Sequence, residues 1–162
     1  MTSFLSSRGA RGFAALLNAL FAVALLFLGG RILLHARFSL VVVLLVGAFA
    51  ALALLGAVAA VGIWRGSLLG AFLTLVVQGT QLIQSQSYTL TYTSSLPVSL
   101  VVGIGADGAP RARATWRPAL EITPEDDQDR PWIGLDLPAL AAIAIAAVTL
   151  GRTRRMSAPG RP

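Results

Sequence analysis

Four long apolar stretches, none with an acidic residue in its middle, constrain this chain more than any other feature. They cover residues 13–30, 38–64, 67–83 and 132–150, or 18, 27, 17 and 19 residues. A helix needs ~20 mostly apolar residues to cross a hydrocarbon layer ~30 Å thick. The expected fold is therefore an all-α membrane protein with four transmembrane helices and a small β-rich extracytoplasmic loop between helices 3 and 4. Its expected parts are a cytoplasmic N-terminal segment 1–12, helices at 13–34, 38–64, 67–85 and 132–150, the loop at 86–131, and a cytoplasmic basic tail 151–162.

Composition supports that class. Of 162 residues 56% are apolar and 12% charged, the reverse of a disordered chain. The formal charge is +6, but all 13 basic residues are Arg, placed at segment ends or in one polar loop. That distribution suits snorkelling and orienting charges and is not the footprint of a nucleic-acid binder. The absence of Cys excludes disulfides, thiolate metal sites and a Cys nucleophile. The bias toward Ala, Arg, Gly and Leu without Lys points to a GC-rich bacterial genome.

Arg8 and Arg11 ahead of the first stretch resemble the start of a secretory signal, but no Ala-x-Ala cleavage pattern follows Gly30. The stretch is read as an uncleaved span, and the separated arginines are not a twin-arginine address. With four crossings both termini share a side. That side holds Arg8, Arg11, Arg65, Arg152, Arg154, Arg155 and Arg161, against Arg31, Arg37, Arg111, Arg113, Arg117 and Arg130 opposite. Charges near span ends weigh most, and the 152/154/155 cluster abuts a span, so both termini are expected in the cytoplasm of a cell whose plasma membrane holds the protein. Trp64 and Trp132 suit interfacial anchors.

Within the spans, Gly47/Ala51, Ala53/Ala57, Gly56/Ala60 and Gly66/Gly70 form small-xxx-small pairs. Such pairs let helix backbones approach closely, either inside one bundle or across an oligomer seam. The third span carries the ordered polar pattern: Thr74, Gln78, Gln81 and Ser85 fall at spacings of four, three and four, on one helical face. Asn18 is expected near the depth of Thr74, and Asp136 near that of Gln81 and Ser85. This stripe is either interhelical hydrogen-bond glue, with Asp136 capping the fourth helix ahead of Leu137-Pro138, or a path for a small polar solute.

The loop alternates with period two. Tyr88, Leu90 and Tyr92 share one face, then Val98, Leu100, Val102 and Ile104, then Ala112, Ala114 and Trp116, which suggests a three-stranded meander turning at Asp107-Gly108. Its apolar face needs a cover, expected to be the outer ends of the bundle, with Arg111, Arg113 and Thr115 facing water. A segment this short cannot build a core of its own.

Catalytic patterns are sparse. His35 is the single His, with no Gly-x-Ser-x-Gly elbow to accompany it. The acidic run 125–129 lacks the order of a calcium loop. Gly103-x-Gly105-x-x-Gly108 sits at a hairpin turn and does not open a helix, so it is not a dinucleotide fingerprint. The chain is expected to be a structural or accessory subunit without enzymatic activity, cofactor or metal. The alternative is a minor transporter or channel component with a polar path along helix 3. Its expected partners are the lipid bilayer and a protein partner or second copy, met through small-residue helix faces or the outer loop.

Overall fold

The computed structural model describes residues 7–86, 91–95, 99–115, 119–123 and 132–157, with 85–86, 91–95, 119–123 and 153–157 described as backbone. Four helices and a six-stranded antiparallel sheet make up the described residues. The helices are α1 (Arg8–His35), α2 (Leu40–Trp64), α3 (Leu68–Leu82) and α4 (Leu137–Ser157). The strands are β1 (Ile83–Gln86), β2 (Thr91–Ser95), β3 (Ser99–Gly105), β4 (Pro110–Thr115), β5 (Ala119–Thr123) and β6 (Trp132–Asp136).

Serines start three of the helices. Ser7, Ser39 and Ser67 each accept a hydrogen bond from the amide three residues on, satisfying a donor the first helical turn leaves unpaired. Between α2 and α3 the chain reverses within a few residues. Gly66 takes the left-handed φ of 72°, its amide donates to the Ile63 carbonyl, and Ser67 donates to Gly62. This is the paired-bond glycine stop, and a residue with a Cβ would be strained there. The two helices leave that corner in backbone contact, because a Cβ on Gly70 would overlap the Gly62 backbone.

The bundle packs in two apolar clusters. At the end that holds the start of α1, Ala10, Ala14 and Leu17 meet Ile63, Ala71, Ala142, Ile145 and Ala146. Further along, Phe21, Ala22, Ala24 and Leu25 meet Phe49, Ala53 and Val77. The small-residue pairs divide accordingly. Gly56 and Ala60 face inward with Ala53, whereas Gly47, Ala51 and Ala57 are not buried, and a Cβ on Gly47 would meet nothing.

Two helices, α1 and α2, are long and apolar enough to cross a membrane; α3 and the apolar part of α4 are shorter. At 1.5 Å per residue the 28, 25 and 15 residues of α1, α2 and α3 reach roughly 42, 38 and 22 Å. The third and fourth expected spans are therefore corrected at their outer ends. Residues 83–85 leave α3 for β1, and 132–136 form β6 ahead of α4, which continues past residue 150 to Ser157. The physical cause is pairing: Ile83, Gln84, Ser85 and Gln86 align with Leu135, Gly134, Ile133 and Trp132 in an antiparallel ladder. Strand backbone there finds its hydrogen-bond partners across the ladder, where a helix would find them along its own axis.

The expected meander is also corrected. The order is β4-β3-β6-β1-β2-β5, so β2 and β3, consecutive in sequence, do not pair. Only the β3–β4 hairpin matches expectation. It turns at Asp107-Gly108, with Gly108 at φ 75°, Gly105 donating to the Ala109 carbonyl, and Asp107 accepting from the Ala109 amide. The glycines at 103, 105 and 108 belong to this hairpin. Residues 88–90, 96–98, 116–118 and 125–129, on which parts of the loop reading and the acidic run fall, lie outside the described residues.

The apolar face of the sheet is not covered by the bundle, contrary to expectation. Ile83, Leu100, Val102, Ile104, Ile133 and Leu135, neighbours by register, are all exposed, Ile104 by 60%. The opposite face is the buried one, carrying Gln84, Ser99, Val101, Trp132 and Asp136. Trp132 is accordingly buried in the sheet, and its indole lies over Gly134; it is not an interfacial anchor. Trp64 remains exposed at the end of α2. Arg113 is exposed, but Arg111 is partly buried and pairs with Asp107 at 3.6 Å.

Candidate functional site

The polar residues of α3 point into the bundle. Thr74, Gln78 and Gln81 are all buried, on the face set by their four- and three-residue spacing. Asn18 of α1, with no exposed surface at all, meets them at the depth the sequence suggests. Its Nδ2 donates to Thr74 Oγ1 at 2.9 Å, and its Oδ1 accepts from Gln78 Nε2 at 3.0 Å. Thr74 in turn donates to the Gly70 carbonyl one turn back. One asparagine thus ties α1 to two successive turns of α3, in a region otherwise built of Phe, Leu, Ala and Val.

Gln81, one turn further on, is also buried, but its Nε2 has no hydrogen-bond partner among the described residues. An orphaned buried amide costs about 1–3 kcal/mol, so this atom is the weak point of the arrangement. Ser85, expected to continue the stripe, occupies β1 beside Ile133 and Tyr92 and is not part of the helical face.

Polar contacts resume where the sheet joins the bundle. Gln84 Nε2 donates to Ser99 Oγ at 2.9 Å, and Asp136 accepts from the Ser99 hydroxyl and the Leu100 and Ala139 amides. Ala139 is the third residue of α4, which makes Asp136 the cap of that helix. Gln84 flanks the α3 stripe in sequence, but its pairing with Ser99 is not legible there. The signal that would have found it is the pairing of β1 and β3 on either side of β6, which no local pattern encodes.

The chemistry available to this file is hydrogen bonding. Among the described residues no group of His, Asp and Glu could hold a metal ion. His35 is exposed, and its Nδ1 donates to the Arg31 carbonyl at 2.9 Å. The surface hollow beside it is lined by Leu28, Arg31, Ile32 and Ala36, none of which carries a hydroxyl.

No protein-family model, curated protein or solved structure matches the chain.

Proposed function

We propose that this chain is a four-span protein of a plasma membrane, with both termini in the cytoplasm, acting as an accessory subunit of a membrane assembly. What carries the reading is its inverted distribution of polarity. The buried positions include Asn18, Thr74, Gln78, Gln81, Gln84, Ser99 and Asp136, while the exposed surface of α2 is almost wholly Leu, Val and Ala. Water as solvent favours the opposite arrangement, whereas hydrocarbon drives amides inward and leaves Leu at no cost outside. The roughly 8 Å by which α3 falls short of the ~30 Å layer is filled by β1 and β6. β6 pairs along both edges, and β1 pairs with β6 along its length and with β2 at Ser85 and Gln86, so most backbone groups there find partners within the sheet. The uncovered apolar face around Ile104 and Ile133 then meets a partner's membrane-proximal surface, as an accessory subunit requires.

The cysteine-free sequence allows a direct topology test. Single substitutions Ala36→Cys and Ala106→Cys should label with an impermeant maleimide in intact cells, and Gly151→Cys only after permeabilisation. Labelling of all three from one side, or a protein that stays dissolved without detergent, overturns the membrane reading. Mild-detergent purification with mass spectrometry should recover a stoichiometric partner that Ile104→Glu/Ile133→Glu releases. A lone monomer unaffected by that pair overturns the accessory reading.

A second reading, a polar solute path along α3, is favoured by one observation, the unpartnered Gln81 Nε2. Replacing Gln78 and Gln81 by Leu should abolish transport on that reading and leave an accessory subunit active.

A further inference from the structure

All seven acidic residues of the chain fall between Asp107 and Asp136, so α1, α2, α3 and α4 carry none. The opposite end of the bundle gathers positive charge. Arg8 and Arg11 in the first turn of α1 come together with Trp64 and Arg65 at the end of α2, around a cavity of about 330 Å³. Neither α1 nor α3, both of which begin at this end, has an acidic residue in its first turn to offset the amide dipoles.

Two glycines shape the cavity wall. A Cβ on Gly66 would overlap Arg11 Nη1, so the guanidinium packs directly on the corner between α2 and α3. A Cβ on Gly12 would come within 2.9 Å of the Trp64 ring, so the benzene edge of the indole lies against α1 where only a glycine leaves room. Arg11 is thereby held partly buried, and its Nε is shut off from solvent with no hydrogen-bond partner among the described residues. Three guanidinium groups converging with no carboxylate among the described residues around them, one of them fixed by packing, form a receptor for a compact, multiply accepting anion.

We propose that this cavity binds a phosphate-bearing anion, with Arg11 as the fixed donor through its terminal guanidinium nitrogens, Arg8 and Arg65 as its outer charges, and the Trp64 indole as an apolar wall. The phosphodiester of an anionic lipid headgroup and free inorganic phosphate share this chemistry. The lipid source rests on the membrane reading above; the phosphate source does not. Topology-setting arginines need charge alone, and a site needs geometry, so the two roles separate on conservative substitution.

The test uses the full chain in a non-ionic detergent. Native mass spectrometry and thermal unfolding are run with phosphatidylglycerol, with phosphatidylcholine, and with inorganic phosphate. The expected result is one retained phosphatidylglycerol, or one phosphate, with an increase in melting temperature that phosphatidylcholine does not give. Arg11→Gln should weaken binding about tenfold or more, the loss expected for a charge-assisted pair. Arg11→Lys, which keeps the charge, should lose most of it as well. Arg152→Gln removes the same charge from the same end of the bundle, outside the cavity, and should bind as the parent does.

Retention of phosphatidylglycerol with no effect of phosphate assigns the headgroup; competition by phosphate assigns the free ion. Equal binding of the two lipids with none of phosphate, or equal losses from Arg11→Lys and Arg152→Gln, overturns the site. A water-soluble chain that still binds phosphate at Arg11 would refute the membrane reading while leaving this one standing.

Discussion

The Asn18 bridge offers the sharpest quantitative test of the bundle. Asn18→Leu deletes two side-chain hydrogen bonds and leaves Gln78 Nε2 buried without its acceptor. Interhelical hydrogen bonds in membranes average about 0.6 kcal/mol each, and a stranded buried donor costs about 1–3 kcal/mol, so the variant should lose about 2–4 kcal/mol. Gln78→Met deletes one bond and strands Asn18 Oδ1, for a loss of about 2–4 kcal/mol by the same reckoning. The double variant strands nothing in this pair, because Thr74 keeps its bond to the Gly70 carbonyl. Its loss should therefore fall short of the sum of the singles by about 3 kcal/mol or more, well outside the roughly 0.3–0.5 kcal/mol scatter of independent sites. The assay is reversible unfolding in mixed micelles of increasing dodecyl sulfate content, followed by far-ultraviolet circular dichroism. Additivity within about 0.5 kcal/mol would refute the reasoning, since it means that water reaches the file and takes over each lost partner.

Gln81→Met should stabilise the protein by about 1–3 kcal/mol in the same titration, since it removes the orphaned amide at nearly constant shape; destabilisation would mean that Nε2 has a partner. Gly70→Ala, which forces a methyl into the Gly62 backbone, should cost more than about 2 kcal/mol. Gly79→Ala, with nothing near the added methyl, should be neutral or gain up to about 1 kcal/mol; thermal unfolding of the pair in one detergent compares them directly.

Which features could be read from the sequence follows from the range over which each is encoded. The helices, the inward face of Thr74, Gln78 and Gln81, and the hairpin at Asp107-Gly108 depend on residues a few positions apart. The match of Asn18 with Thr74 needed only a count of residues along two adjacent helices. Ile83 to Ser85 and Trp132 to Asp136 read as helix from sequence because each adjoins an apolar run, and short segments do not declare their period. What makes them strands is their pairing with each other, across more than forty intervening residues. The same reason hid the exposed face of the sheet, since its burial depends on strand order and not on alternation. The arginine cavity was equally hidden. Arg11 and Trp64 each suggested an interfacial role, and only the α1–α2 packing, permitted by Gly12, brings them to one wall.

The passage from α3 into β1, and from β6 into α4, occurs between consecutive residues, Leu82 to Ile83 and Asp136 to Leu137. No hinge separates the two layers, and Asp136 clamps the second junction by gripping the Ser99 hydroxyl and the Leu100 and Ala139 amides together. A torque applied to the sheet is thus transmitted to the helix pair as through a rigid lever. The load then falls on the Asn18 bonds and the Gly62–Gly70 backbone contact that hold α3 to α1 and α2.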